Sequence, residues 1–448
     1  MQGAADQTVA CVCTDSRLLQ PGDLFFALRG ERFDGHAYLA EAAGKGAAAV
    51  VAERTAMPEK MSGCGVVAVE NSRQALGRFA AGYRAAFDLP VIAVAGSNGK
   101  TSTKELIASV LRQRVKTVWS EASFNNDIGV PLTLLKIGRQ HKVAVLEAGT
   151  NHPGELRALL ELMRPNLGVI TCIGREHLEF FGDLAGVAEE EGALAELLPP
   201  SGTLYLNGDD DWSESLVRRC RSEVVRVGFG DRNHWKAHGV RMDKVGITFR
   251  VSAPVAQYAG EYRINLLGRH QVGNALFAIA LGSRLGLQKE EIERGLAECQ
   301  PAKMRLQVSE LGGVQVLDDA YNANADSMMM ALRTLQEFPC KGRKVAVLGD
   351  MAELGCHSEA AHEEVGRHAA QSGVDQLFAL GKMAPIVARG ARQAGLHRVL
   401  EFVDVEAAAQ ALKSFLRNGD CLLLKASRAT RLERITEHLR GFEAGRRN

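Results

Sequence analysis

Three things are missing from this 448-residue chain, and each absence narrows what it can do. It has no excess of one charge: 54 Lys and Arg against 53 Asp and Glu leave a formal net charge of +1. Such a chain has no general pull toward nucleic acid or an anionic membrane, so a charged ligand must be met by a local site. No run approaches the ~18–20 uninterrupted apolar residues of a membrane helix. The first thirty residues also lack the charged start and apolar core of a secretion signal. Cysteine shows no pairing pattern. Nine thiols are scattered from Cys11 to Cys421, and the one close pair, Cys11 and Cys13, has neither zinc nor redox spacing. These features predict reduced thiols, a cytoplasmic location, no membrane insertion and no nucleic-acid partner.

What is present is enough apolar sequence for several cores. A hydrophobic share of 46% is ordinary for globular protein, and the length exceeds what one core organises. Three units are expected. Residues 1–85 read as a small α/β unit with strands near Val9 to Cys13, Leu24 to Leu28 and Ala47 to Ala52. Arg84 to Pro90 reads as a linker, since proline favours an extended entry. In residues 86–300 the continuous apolar run Val91 to Ala95 suits a strand buried on both faces. Lys142 to Leu146, Leu167 to Thr171 and Gly202 to Leu206 follow, with helical stretches between, and Gly273 to Leu285 has apolar residues at helical spacing. In residues 301–448 strands are expected near Val314 to Leu317, Lys344 to Leu348, Gln376 to Ala379 and Cys421 to Leu424. Strands alternating with helices predict an α/β chain built on doubly wound parallel sheets.

The most informative local feature follows the first buried strand. Gly96-Ser97-Asn98-Gly99-Lys100-Thr101 opens a helix that continues through Ser102-Thr103-Lys104. Glycine lets the backbone approach phosphate oxygens, and the free amides of a helix start point at an anion. Lys100 is placed to neutralise β- and γ-phosphate charge from an exposed loop, and the Thr101 hydroxyl to ligate Mg²⁺. The full phosphate-loop pattern needs glycine at position 94, where Val94 stands. Glu147 sits where the strand from Lys142 ends, at the edge where open α/β sheets bind ligands. A carboxylate there suits a hard cation, although a solvated strand-end Glu has the same sequence.

Gly96 to Thr101 resembles the phosphate loop of the Mur ligases and of the folylpolyglutamate synthases, which activate a carboxylate as an acyl phosphate and let an amine displace the phosphate. Four further runs extend the resemblance to the Mur ligase family over nearly the whole chain. They are Gly174 to Leu178, Leu267 to Ala275, Asp318 to Asn324 and Lys344 to Gly355, with Lys425 to Arg428 beyond them. The resemblance implies a three-domain Mur ligase architecture: a unit binding a uridine diphosphate precursor, a central P-loop ATPase sheet, and a C-terminal Rossmann-like domain. It implies ATP and Mg²⁺, with nucleotide contacts from Gly96, Ser97, Asn98, Gly99, Lys100, Thr101, Ser102, Asn274, Arg305 and Asp319. Metal ligands would be Thr101, Glu147, His177 and Glu191. The reacting groups would be surrounded by Lys100, His177, Glu191 and Arg305.

Within the family, the run from Asp318 to Ser327 and the absence of an Asp-Asn-Pro-Arg run resemble the branch that joins D-alanyl-D-alanine to UDP-N-acetylmuramoyl-tripeptide. Substrate contacts would then come from Ser16, Arg17, Asp34, His36, Asn125, Asn126, Tyr321, Asn322 and Asn324, in a monomer. Because nucleotide contacts lie in two units, hinge closure near Cys299 to Lys303 is expected. On residue type alone, Ser16 and Arg17 are equally surface turn residues and Asn274 equally a helix cap.

One departure is notable. The branch has Ala-Lys-Gly-Glu after its His-Leu-Glu segment, with a carbamylated lysine; here Glu190-Glu191-Gly192-Ala193 puts Glu191 at the lysine position. Glu191 either replaces the carbamate or marks a lost metal site. Two other readings stay open: a different carboxylate–amine ligase of the superfamily, or a nucleotide-binding relative whose Glu191, Gln271, Ala325 and Ala426 record lost catalysis.

Overall fold

The computed structural model describes residues 8–30, 33–57, 61 and 63–440. Its strands fall into three sheets. The first has four parallel strands in chain order: Val12–Cys13, Leu24–Phe26, Ala49–Glu53 and Gly65–Val69. Small apolar clusters cover both of its faces, around Phe25 and Val50 on one side and Phe26 and Val51 on the other. Alternation along a strand produces that split, because successive side chains point to opposite faces.

The second sheet has nine strands, and its centre is the expected parallel core. Val91–Ala95 lies between Leu167–Ile170 and Val143–Glu147, all parallel, with all five residues of Val91–Ala95 buried. Helices Lys100–Leu111 and His270–Arg284 cover one face, and Glu155–Met163 covers the other. The chain order reverses at Val91–Ala95, since its two neighbours come from later segments on opposite sides. A crevice at the carboxyl ends of such strands is where open α/β sheets receive ligands.

Beyond Thr203–Asn207 and the parallel strand Glu223–Gly228, the sheet gains an antiparallel extension absent from the sequence reading: Trp235–Met242, Ile247–Ser252 and Gly260–Ile264. These strands are buried on one face only, with Ile247, Phe249 and Val251 inside and the intervening Thr248, Arg250 and Ser252 more open. Their polar alternation hides them from a search for continuous apolar runs.

The third sheet has six strands in the order Gln307–Leu311, Val314–Asp318, Cys421–Lys425, Lys344–Leu348, Gln376–Leu380 and Val399–Phe402. Only the first pair is antiparallel. Between the first and second sheets, helix Ser72–Arg84 runs into Ala85–Pro90. This connection is fixed rather than loose: the buried Arg84 guanidinium donates to the Phe87 and Leu89 carbonyls at 2.6 and 3.3 Å.

Candidate active site

The loop after Val91–Ala95 is shaped by its two glycines. Gly96 has φ +110° and Gly99 φ +86°. A Cβ on Gly96 would lie 2.3 Å from the Thr171 hydroxyl and 2.8 Å from the Thr171 amide, so only glycine fits between the two strand ends. Ser97 ties the loop to the next crossover. Its hydroxyl donates to the Gly174 carbonyl (3.2 Å) and accepts from the Gly174 amide (2.8 Å). Helix Lys100–Leu111 starts directly after Gly99 with no side-chain cap, leaving its first amides open to an anion.

Lys100 is not the exposed loop residue that the sequence suggested. Its side chain is 14% exposed. The ammonium turns back over the loop, donating to the Gly96 carbonyl at 2.5 Å and to Glu176 Oε2 at 3.3 Å. Burial pulls its pKa down, but the charges of Glu176, Glu191 and Glu147 outweigh burial and hold it above the ordinary lysine value. Burial pushes Glu176 and Glu191 above the usual carboxylate range, against the pull of Lys100 on both.

Glu147 closes the same pocket from the neighbouring strand. Oε1 accepts from the Thr101 hydroxyl (3.1 Å) and from Asn125 Nδ2 (2.9 Å), while Oε2 is buried without a partner. Asn126 is spent locally, its side chain accepting from the Ile128 and Gly129 amides. His177 takes φ +47°, a strained value for a side-chain-bearing residue. Its Nδ1 meets Glu353 Oε2 at 2.5 Å, which leaves Nε2 toward the cavity side near Glu176, 4.0 Å away. Glu191 lies behind the loop, accepting from the Gly96 amide through Oε2 at 2.7 Å, with Oε1 buried and unpartnered.

A divalent cation fits part of this arrangement. Thr101, Glu147, His177 and Glu191 offer oxygen and imidazole donors, and two of the carboxylates have an orphaned buried oxygen. Among the described residues, however, no three His, Cys, Asp or Glu side chains converge as a ready-made cation site. Phosphate oxygens and water would have to complete the shell, as Mg²⁺ commonly requires.

The third unit contributes the opposite wall. Arg305 stacks over the Tyr321 ring at 4.1 Å, and its Nε is buried without a partner. Asp319 is paired with the buried Lys425 at 2.5 Å and accepts from the Leu306 amide at 3.1 Å. The connection leading there includes Met304 (φ +57°) and Leu306 (φ +50°), strained positions immediately after the expected hinge. Lys425 also donates to the Asn322 carbonyl at 3.2 Å, and Asn324 Nδ2 donates to Asn98 Oδ1 at 3.1 Å. One cavity of about 310 Å³ is lined by Ser97 to Ser102, Asn125, Asn126, Glu147, His177, Arg305, Asp319, Tyr321, Asn322 and Asn324. A second, of about 320 Å³, opens beside Gly99, with Asn274, Phe277 and Phe229 in its wall and the Arg269 guanidinium 4.3 Å over the Phe229 ring. Asn274 is buried there, its amide donating to Gln271 Oε1 at 2.9 Å. Gln271 thus orients Asn274.

The first-unit residues do not reach either cavity. Arg17 is exposed and forked onto Asp15, while Ser16 is buried with its carbonyl accepting from Lys45 at 2.8 Å. Asp34 holds His36 Nδ1 at 2.5 Å, and His36 Nε2 accepts from the Glu53 amide at 3.0 Å. Both His36 nitrogens are therefore spent within the fold, so His36 offers a ligand the loop that it fixes rather than a hydrogen bond.

Arg175 clamps the central and third units together. It donates to Asp326 Oδ1 through Nε and Nη2 at 2.9 and 2.7 Å and to Glu364 at 2.6 Å. Removing this fork in Arg175→Ala should weaken the contact by about 2 kcal/mol. Small-angle scattering is expected to show a larger radius of gyration; an unchanged profile would assign the clamp no part in holding the units together.

Three family descriptions match consecutive parts of the chain: "Mur ligase family, catalytic domain" over residues 8–84, "Mur ligase middle domain" over 94–282 and "Mur ligase, glutamate ligase domain" over 304–428. A protein from Escherichia coli K12 named UDP-N-acetylmuramoyl-tripeptide--D-alanyl-D-alanine ligase is 36% identical, over 98% of this chain and 95% of its own length. The chain belongs to the Mur ligase family. Crystal structures agree with this. MurF from Acinetobacter baumannii superposes with a TM-score of 0.87 at 30% identity, covering 96% of this chain and 92% of that one. MurF from Thermotoga maritima in complex with ADP gives 0.84 at 26% identity, over 97% and 98%.

The three Mur ligase matches fall one on each sheet, and the cavity that holds the phosphate loop, Arg305 and Asp319 lies where the middle and last of them meet. Sequence reasoning assigned no role to Glu176, His270, Glu353 or Lys425, although all four line this Mur ligase cavity. Each sits inside or beside one of the runs quoted from the sequence, but Glu176, Glu353 and Lys425 meet Lys100, His177 and Asp319 from far away in the chain.

Proposed function

We propose that this Mur ligase joins D-alanyl-D-alanine to UDP-N-acetylmuramoyl-tripeptide at the expense of ATP, in the assembly of peptidoglycan precursor. The observation that carries the reading is the single cavity to which the phosphate loop, Glu147, Arg305 and Asp319 all contribute. The choice of amine and carboxylate partners is supported by near-full-length similarity to ligases of that name. Triphosphate would lie along Gly96 to Ser102, with Lys100 and Arg305 neutralising the transferring phosphoryl group. The adenine would enter the second cavity beside Asn274, whose amide suits a base edge, and Asp319 would accept the ribose hydroxyls.

The muramoyl peptide's terminal carboxylate attacks the γ-phosphate, giving an acyl phosphate and ADP. The amine of D-alanyl-D-alanine then adds to the activated carbonyl, and phosphate leaves. Lys100 and Arg305 hold charge where it develops, and Asn125, Tyr321, Asn322 and Asn324 lie on the walls that would position the peptide ends. Thr101 and Glu147, with His177 and Glu191 alongside, would hold Mg²⁺, which supplies compact positive charge against the phosphates. Units of about 85, 215 and 148 residues, bounded near 85 and 300, would each carry one part of this task, in proportion to the ranges 1–85, 86–300 and 301–448 of the sequence.

ADP release tests the proposal. It should require UDP-N-acetylmuramoyl-tripeptide and D-alanyl-D-alanine together, with either alone giving background. Turnover with glutamate and a folate but none with the muramoyl substrate would overturn it.

A further inference from the structure

Glu176 is out of place in a cavity built for an anion. It is 7% exposed and shares the wall of the cavity of about 310 Å³ with the phosphate loop. The sequence run Gly174-Arg175-Glu176-His177-Leu178 leaves its position open in the family pattern, so nothing in the resemblance calls for an acid there. Charge complementarity argues against one, because a carboxylate beside a phosphate site repels the ligand. A buried ion pair is also weak as a purely stabilising device, since desolvation of both charges offsets their attraction.

The geometry gives the acid another use. Glu176 Oε2 is 3.3 Å from Lys100 Nζ, while Oε1 is buried with no nitrogen or hydroxyl donor and the carboxyl meets that of Glu191. The other acceptors of that ammonium are carbonyls of its own loop, at Gly96 (2.5 Å) and Ser97 (3.4 Å). The turn that aims Glu176 inward is held firmly: Gly174 is bound to Ser97, the Glu176 amide donates to the Gly174 carbonyl at 2.9 Å, and Arg175 is forked onto Asp326. The carboxylate therefore sits on a fixed support and contacts the loop lysine that an incoming triphosphate needs.

We propose that Glu176 is a placeholder for the transferring phosphoryl group: it holds Lys100 over the loop, must be displaced when nucleotide binds, and so sets nucleotide affinity. Glu176 is on this account a positioning residue acting through Lys100. Only molecules in which Lys100 has left Glu176 bind phosphate fully, so the apparent affinity is reduced by the fraction still paired. The inference rests on Lys100 being the phosphate ligand of the proposed reaction.

The test is calorimetric titration of the full chain with a non-hydrolysable ATP analogue and Mg²⁺, without muramoyl substrate. Glu176→Ala should bind the analogue about five- to tenfold more tightly than the parent chain. Glu176→Gln, which keeps the shape but weakens the hold on the ammonium, should shift affinity the same way by less. In a Lys100→Met background the Glu176 substitutions should change nothing, an outcome that a general structural role would not produce. Unchanged or weaker binding in either folded variant overturns the placeholder, as does an equal change without Lys100. If the alanine chain does not fold, the glutamine chain decides by the same criterion. A parent chain that binds no nucleotide would overturn the proposed function as well, whereas binding indifferent to Glu176 overturns this inference alone.

Discussion

Replacing Lys100 with alanine should lower kcat about a hundred- to a thousandfold while the chain stays folded. The ammonium lies over the loop on the Gly96 and Ser97 carbonyls, and in phosphoryl transfer the protein contributes mainly position and charge neutralisation. Its loss removes an interaction that strengthens as charge moves onto the departing phosphate, so kcat should fall more than nucleotide affinity. Folding should survive for a reason visible in the site. Burial already pushes the Glu176 carboxyl up to about 8 with Lys100 in place, and losing the ammonium that opposes burial pushes it further, so the variant buries a neutral acid rather than an unpaired charge. Steady-state ADP release with a thermal melt checks both halves. Near-normal turnover in a folded variant would mean that the loop is not the catalytic phosphate site.

Residues whose job is set by their neighbours in sequence were legible; those whose job is set by a distant partner were not. Gly96 to Thr101 could be read because a strand, two glycines and a helix start lie within one short run. Glu147 could be read because it ends a strand of five buried residues. The strands Val91–Ala95 and Lys344–Leu348 occupy the positions expected from their apolar runs. By contrast, Lys425 meets Asp319 across 106 positions, and Arg175 meets Asp326 across 151. No local pattern marks such pairs. The buried face of the 235–264 extension alternates with polar residues, so it gave no continuous signal. His36 looked like a ligand residue because nothing local shows that Asp34 and the Glu53 amide consume both its nitrogens.

The acidic run at 189–191 shows the same limit at its sharpest, and it carries the second large effect. Sequence alone places three glutamates together, yet each has a different fate. Glu189 is exposed beside Arg219. Glu190 is buried and saturated, accepting from the Thr150 hydroxyl and from the Gly154 and Leu156 amides at the start of helix Glu155–Met163. Glu191, 1% exposed, holds the Gly96 amide with one oxygen and keeps the other free. It alone of the three combines contact with the phosphate loop and an unspent oxygen, which is what a replacement for a lysine carbamate needs. Glutamate has the same charge and oxygen pair on a shorter stem, and a bridging water closes such a gap to Mg²⁺ readily. Glu191→Gln separates the two tasks, because its amide oxygen still accepts from Gly96 while the charge is gone. Turnover in that variant should fall about ten- to a hundredfold with a raised Mg²⁺ requirement, and activity of the parent chain should not respond to bicarbonate. Glu191→Lys should recover activity only when bicarbonate is supplied, to the extent that the longer stem is accommodated. An unchanged rate and Mg²⁺ dependence in Glu191→Gln, with loss only in Glu191→Ala, would reduce Glu191 to a support for the loop backbone and remove its claim on the metal.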